Sequence, residues 1–411
     1  MVDHIFADLD FEQDFELRDE VLKQLSRRLE GAPIEIQEPL AAFVPQVDEY
    51  QREVVESPAN TMRVVAPAGS GKTQTMLNRV LRRIQNGLNP ERLLLLTFDN
   101  AAASSLIIKL REQTESLGVE LGSLQIKTLN AFGFAILRRY VPTEYKPIIP
   151  PYRAAKLIRE IIEALKEKSL ERHRLLPRNI KTRFYIEFFS FLKNELFDPR
   201  GPDAQRLAEF IIESPTAVPF FEPGQPANVV KAIVAGLIWL FMAYEKAVQR
   251  EGLMDFDDQK LRSYLALSSS RDLKQTLQSK FAEIIVDEFQ DINRLDFALI
   301  QLLAEKSGLV VTGDDDQAIY GFRGCSPNYI INLQQAIGRD VTPFELAINY
   351  RNPANLVRHA DQLIRHNVNR IPKSPIAARN ESGRYQSCRH CLRGAGGKVC
   401  RVIHSESATH E

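Results

Sequence analysis

The sequence predicts an α/β protein in which a parallel sheet has helices on both faces and carries an inserted all-helical subdomain. Three observations predict it. The apolar pair Val64-Val65 runs into Ala66-Pro67-Ala68-Gly69-Ser70-Gly71-Lys72-Thr73 and then into a long helical pattern. Farther on, the β-branched run Ile284-Ile285-Val286 ends in Asp287 and Glu288, as a buried strand does when it delivers acids to a sheet edge. More than two hundred residues separate Lys72 from Asp287, more than the strands and helices of one such sheet require.

Taken in chain order, residues 1–44 form an extension with one expected helix, Arg18 to Leu29, ending near Gly31-Ala32-Pro33. Residues 45–137 and 251–344 are assigned to the first sheet domain. In the stretch 66–73, small residues let successive backbone N–H groups close around β- and γ-phosphates. Lys72 supplies a point charge there, and the Thr73 hydroxyl can ligate Mg²⁺. Ala66 stands where the strict motif has glycine, so Gly69-Ser70-Gly71-Lys72-Thr73 carries the reading. The following helix is expected from Thr73 to Asn86, with Met76, Leu77, Val80, Leu81 and Ile84 at helical spacing and Gly87 as its stop. Leu93 to Thr97 reads as a strand with Phe98 just beyond it.

Residues 138–250 lack strand runs and show helical periodicity, as in Leu157, Ile161, Ile162 and Leu165, so they form the inserted subdomain. Between Arg153 and Arg183 there are ten Lys or Arg against four Glu, and Phe184-Tyr185-Ile186-Glu187-Phe188-Phe189 follows. A basic groove beside stacking rings suits single-stranded DNA, with Tyr185 or Phe189 as the platform. Equally, Phe184, Phe188 and Phe191 recur at helical spacing and suit a helical core. After the insertion, Asp287 would hold Mg²⁺, directly or through water, and Glu288 would orient and deprotonate the water that attacks a γ-phosphate.

Composition narrows the classes. With 53 basic and 53 acidic residues the chain carries no global field for nucleic acid, so any DNA path is a local stripe. An acidic start, Asp3, Asp8, Asp10 and Glu12, lacks the basic region of a signal peptide. The apolar stretch Ala232 to Tyr244 is too short to span a bilayer and reads as a buried helix. Four cysteines, three near the end, make no disulfide framework, and a reducing, cytoplasmic setting without membrane contact is expected.

Longer motifs then match a family. Asp287-Glu288-Phe289-Gln290-Asp291 and Gly313-Asp314-Asp315-Asp316-Gln317-Ala318-Ile319-Tyr320-Gly321-Phe322-Arg323-Gly324 are joined by Tyr50-Gln51-Arg52, Thr97-Phe98-Asp99-Asn100-Ala101-Ala102, Asp255-Phe256-Asp257 and Asn349-Tyr350-Arg351. In this order they resemble the UvrD/Rep-type helicases of superfamily 1, over roughly residues 45 to 383. The resemblance implies a RecA-like phosphate-loop fold and an ATP-dependent DNA helicase or translocase acting in DNA repair or replication, with ATP and Mg²⁺ as cofactors. Single-stranded DNA and its junctions with duplex would be the partners.

Residue roles follow from that resemblance. Gln51 reads the adenine edge, Tyr350 stacks on the base and Arg351 reaches the γ-phosphate as a charge-stabilising finger. Ala66, Pro67, Ala68, Gly69, Ser70, Gly71, Lys72 and Thr73 hold the phosphates, Thr73 and Asp287 the metal. Gln317 senses the γ-phosphate and reports it to Tyr320 and Phe322, with Arg323 bonding back toward the acidic motif. Phe98, Tyr320 and Phe322 stack on bases, while Asn100, Thr128 and Asn130 line the DNA path. Phe322 commonly is tryptophan in the family and Asn130 histidine, so the loop around Asn130 can donate a hydrogen bond but not a charge.

Beyond Asn349-Tyr350-Arg351, a helix from Asn355 to His366 and the loop Ile371-Pro372-Lys373 open a second motor domain, 345–383, after which the pattern stops near Gly383. Unwinding by these residues alone is therefore not expected, and an ATP- and DNA-binding protein or DNA-stimulated ATPase without unwinding is the alternative reading. An ATPase of transporter type is disfavoured by the lack of a Leu-Ser-Gly-Gly-Gln signature. In the tail, 384–411, Cys388, Cys391, Cys400 and His404, with His390 spare, have the types and pair spacings of a small zinc site. The loop is short and without core residues, so an unstructured or frame-disrupted end is the stronger reading.

Overall fold

Six short strands rich in valine, isoleucine and leucine build the sheet: β1 (Thr61–Val65), β2 (Leu93–Thr97), β3 (Gln125–Thr128), β4 (Glu283–Val286), β5 (Gly308–Gly313) and β6 (Thr342–Glu345). This computed structural model describes residues 47–380 apart from 116–120, 122, 169–172, 174, 178–180, 199–202, 214–223 and 322–323, together with 386–387 and 402–403. The helix expected at 18–29 and the cysteines and histidines of the tail lie outside the described residues.

The strands pair in the order β3-β2-β4-β5-β1-β6, every pair parallel. In β2, β4 and β5 each residue is buried, which only a sheet covered on both faces allows. Leu94, Leu96, Ile284, Val286, Leu309 and Val311 share one core with Phe132 and Ile136 of the helix Leu129–Tyr140 and with Leu299, Ile300 and Leu303 of the helix Arg294–Ala304. The alternate residues Leu95, Ile285 and Val310 point the other way and are just as buried. The expected RecA-like α/β sheet is thus present, and the helix after β1 runs Lys72–Gln85, one residue from its expected bounds at each end.

One buried cation ties that helix down. Arg79, 1% exposed, sends Nε and Nη2 to the two carboxylate oxygens of Glu283 at 2.9 and 3.0 Å, and its Nη1 donates to the Val54 and Ser57 carbonyls. Arg79→Ala would leave the buried Glu283 with only the half-exposed Arg83, whose Nε lies 3.2 Å from Oε2, and would leave the Val54 and Ser57 carbonyls without their donor, so a stability loss of about 3 kcal/mol is expected, read as a lowered denaturation midpoint. An unchanged midpoint would show that water reaches Glu283.

The inserted helices have a core of their own. The chain leaves and rejoins the sheet domain side by side, since the Ile149 N–H donates to the Met254 carbonyl at 2.7 Å and the Met254 N–H to the Pro147 carbonyl at 2.9 Å. Between these points the helices Pro151–Lys168, Thr182–Asn194, Asp203–Glu213 and Ala227–Arg250 enclose Leu157, Ile158, Phe188, Leu192, Ile211, Leu237, Leu240 and Phe241. By length and composition Ala227–Arg250 could cross a bilayer; here its apolar face is the spine of this core, with Val230, Val234, Leu237 and Tyr244 buried. Tyr185 and Phe189 correct the stacking expectation. They are 3% and 1% exposed in the same core, the Tyr185 hydroxyl donating to the Pro177 carbonyl, because an aromatic-rich helix buries most surface by turning its rings inward.

Polar contacts join the insertion to the sheet beside the acidic motif. Asn194 Oδ1 accepts from Lys260 Nζ and from Asn293 Nδ2, both at 3.1 Å, and Asn293 caps the helix Arg294–Ala304. Beyond β6, the strands β7 (Ile348–Pro353) and β8 (Ile376–Arg379) pair in parallel around the helix Ala354–Ile364 and begin a separate sheet.

Candidate nucleotide and DNA site

Strands β1, β4 and β5 occupy three adjacent places in a parallel sheet with β5 between the others, so the loops after them leave one edge together. This placement brings Lys72 to Asp287. The Lys72 ammonium lies 3.4 Å from Asp287 Oδ1 and forms a closer ion pair with Glu288. Burial works against the charge of Lys72, but Asp287 and Glu288 prevail and hold its pKa above the usual value. Burial raises the Asp287 pKa, whereas Glu288 is kept below the usual carboxylate range against its own burial by Lys72 and Gln290. Glu288 takes a left-handed backbone, φ 53° and ψ 45°, which a side-chain-bearing residue adopts only when its surroundings enforce it, at a cost of order 1–3 kcal/mol.

Gln290 connects this acid to the loop after β5. Its Nε2 donates to Glu288 Oε2 at 2.9 Å, and its Oε1 accepts from the Asp314 N–H at 3.0 Å. A Cβ on Gly313 would collide with that Oε1, so glycine is what lets the amide lie across the strand end. Asp314 Oδ2 in turn accepts from Gln317 Nε2 at 2.5 Å. Glu288, expected to orient water, and Gln317, expected to sense phosphate, are thus connected through Gln290 and Asp314.

The loop 66–71 fits a phosphate. Gly69 and Gly71 have φ of 85° and 78°, and a Cβ on Gly69 would lie 2.7 Å from Arg351 Cβ. Ser70 Oγ is buried without a hydrogen-bond partner among the described residues. The first N–H groups of the helix Lys72–Gln85 have no partner within the helix and carry its positive end. Thr73, half-buried in that first turn, and Asp287 are hard oxygen donors of the type Mg²⁺ takes. Ala66 is buried at the strand end, while Pro67 and Ala68 reach the surface.

Neighbouring segments grip this loop. Gln51 is buried and donates from Nε2 to the Ser70 carbonyl at 3.2 Å. Asn349 Nδ2 donates to the Ala68 carbonyl at 2.7 Å, and the Tyr350 N–H donates to the Gly69 carbonyl at 2.9 Å. The Tyr350 ring is 42% exposed, with its hydroxyl 2.5 Å from Asp48 Oδ2; burial and then Asp48 push its pKa up to about 12. Asp48 also caps the helix Glu49–Glu56 that carries Gln51, so Tyr350 and Gln51 stand on neighbouring supports. The Arg351 side chain is exposed beside Gly69.

A cavity of about 700 Å³ opens between the sheet edge and the inserted helices. Phe98, Asn100, Thr128 and Asn130 line one side, the helix Thr182–Asn194 supplies Ile186, Glu187, Ser190 and Phe191, and Asp287 and Glu288 also line it. Phe98 and Tyr320 stack on each other, ring centroids 5.1 Å apart and planes 25° apart. Thr128 is buried, and its Oγ1 accepts from the Ala131 N–H as a helix cap. Phe322 and Arg323 lie outside the described residues. Sequence reasoning gave no role to Gln290, which lay inside a recognised motif, nor to Asn349, adjacent to Tyr350. Asp48 carried only the local signal of a helix cap, and its contact with Tyr350, like those of Lys373, joins residues distant in sequence.

Comparison with known proteins agrees with this geometry. The family model described as the UvrD/REP helicase N-terminal domain matches residues 47–338. The chain is 30% identical over 352 residues to the ATP-dependent DNA helicase PcrA of Staphylococcus epidermidis, covering 84% of this chain and 43% of that protein. It is 28% identical over 337 residues to DNA helicase II of Escherichia coli, covering 80% and 41%. The chain thus spans about two fifths of the length of these curated relatives.

Proposed function

The chain belongs to the UvrD/REP helicase family, and from that premise we propose that it is a superfamily 1 motor that hydrolyses ATP to move on single-stranded DNA and separate duplex. The observation that carries the proposal is the meeting of Lys72, Asp287 and Glu288 at the phosphate loop, linked through Gln290 and Asp314 to Gln317. Lys72 and the loop amides would bind the phosphates, Gln51 and Tyr350 the base, and Thr73 with Asp287 the metal. When bound, Mg²⁺ supplies charge neutralisation at the β- and γ-oxygens. Glu288, held ionised by Lys72 and Gln290, would take the proton of the attacking water; Arg351 would meet the charge that develops on the γ-phosphoryl group.

The DNA path would cross the stacked Phe98 and Tyr320, with Asn100, Thr128 and Asn130 on the cavity wall; by the family resemblance Phe322 would stack on a base as well. Junctions of single and double strand are the expected substrate, and the cytoplasm is the expected location. The division into 45–137 with 251–344 and 138–250 is supported by the separate cores of the sheet and of the inserted helices, and the start of a further unit, 345–383, by the separate β7–β8 pair.

Strand displacement and DNA-stimulated ATP hydrolysis by the purified chain test the proposal together. Hydrolysis without a displaced strand would make these 411 residues a DNA-stimulated ATPase, and neither activity would overturn the reading. Phe98→Ala or Tyr320→Ala should weaken single-strand binding by about 1–3 kcal/mol with little sequence dependence. Because the two rings touch, the double variant should lose less than the sum of both. Fluorescence titration with homopolymer strands checks this, and unchanged affinity in both variants would move the DNA path elsewhere.

A further inference from the structure

Lys373 is a lysine with almost no water, its side chain 2% exposed in the loop after the helix Ala354–Ile364. Its ammonium lies 2.6 Å from Asp314 Oδ1, 2.6 Å from Asp315 Oδ1 and 2.7 Å from Asp316 Oδ2. Arg370 pairs with the same Asp316 through two bonds, Nε to Oδ1 at 2.9 Å and Nη2 to Oδ2 at 2.6 Å. The Ile371 N–H donates to Asp315 Oδ2 at 2.8 Å. Three consecutive carboxylates are therefore all held by residues 370–373.

Asp314 divides its oxygens between two side chains, Oδ1 accepting from Lys373 and Oδ2 from Gln317. Its backbone N–H donates to Gln290, which holds Glu288, which pairs with Lys72. The Asp316 N–H also donates to Oδ1, at 3.2 Å, and the shorter charge-assisted bond from Lys373 in a dry site adds to it in holding the carboxylate rotation, and with it the direction in which Oδ2 holds the Gln317 amide. The segment that carries Lys373 also carries Asn349 and Tyr350, which bond to the phosphate loop. One body thus touches the site at two separated points, the loop after β1 and the loop after β5.

We propose that Lys373, supported by Arg370, is a positioning residue that aims Gln317 through Asp314 and so makes the sensor's alignment depend on where the second-domain segment sits. This rests on the ATPase reading above. A rigid shift of residues 345–380 would break the Lys373 and Arg370 bonds together and release Gln317, which gives opening of the domain cleft a direct route to the sensor. Lys373 touches neither the phosphate loop nor Glu288, so its effect on chemistry runs through Asp314.

Lys373→Gln is the test, with Lys373→Arg, Gln317→Ala and the double variant Lys373→Gln/Gln317→Ala beside the parent. Expected is a fall in ATP turnover of about 10²-fold, the cost of a misplaced group, with the affinity for a fluorescent ATP analogue unchanged. Lys373→Arg should restore much of the turnover, since it keeps charge and donors. The double variant should turn over no more slowly than Gln317→Ala alone. Turnover at the parent rate in Lys373→Gln overturns the proposal, as does a fall in turnover matched by a fall in affinity, or additive losses in the double variant. If Lys373→Gln does not fold by thermal melting, Arg370→Gln takes its place under the same criteria. A parent that hydrolyses no ATP overturns the ATPase reading itself, and the positioning role with it.

Discussion

Arg351→Ala is expected to lower ATP turnover by about three to five orders of magnitude, the usual worth of an arginine that meets charge on a transferring phosphoryl group. The backbone makes that role possible: Asn349 and Tyr350 bond to the Ala68 and Gly69 carbonyls, and Arg351 follows with its Cβ packed where a glycine at 69 leaves room. The side chain is exposed at the mouth of the loop and free of burial cost. Its charge matters more in the transition state than in the ground state, so ATP affinity should change far less than rate. Arg351→Lys should recover little, because an ammonium lacks the planar fork. Single-turnover hydrolysis and nucleotide titration decide the matter; a rate within tenfold of the parent would exclude Arg351 from the reacting charge.

Glu288→Gln should keep ATP bound and lose about 10²- to 10⁴-fold in turnover, the span typical of a positioned general base. The substitution is nearly isosteric and leaves Gln290 an oxygen to bond. Its left-handed backbone is retained, so the loss reports chemistry and not refolding of the turn. Lys72→Ala is the contrasting case, since it removes the cation from the phosphate loop and should abolish tight binding. Full turnover in Glu288→Gln would move the base elsewhere, and unaltered affinity in Lys72→Ala would remove the phosphates from this loop.

Much of this was legible from local pattern. The run Leu93 to Thr97 becomes β2 with those bounds, and Met76, Leu77, Val80 and Leu81 fill the buried side of the helix after β1, because period and burial are local consequences of residue order. The aromatic run in the insertion was ambiguous for a physical reason. The buried stripe is Tyr185, Phe188, Phe189 and Leu192, while Phe184 and Phe191, expected in the core, are only half-buried and Phe191 lines the cavity; two overlapping aromatic stripes share Phe188, and periodicity along one helix does not show which of them faces the neighbours.

By itself the sequence determined the α/β class, the phosphate loop, the two acids after β4, the inserted helices and the family, since each depends on residue types at short spacing. Only the tertiary structure decided that Phe98 and Tyr320 stack on each other and that Gln290 bridges Glu288 to Asp314. It also decided that Asn349 grips the phosphate loop and that Lys373 is buried among three aspartates. Apart from the Gln290–Glu288 bond, such contacts join residues tens to hundreds of positions apart, and the order of strands in the sheet brings them together. That order follows from how apolar faces are jointly buried, a property no single segment carries.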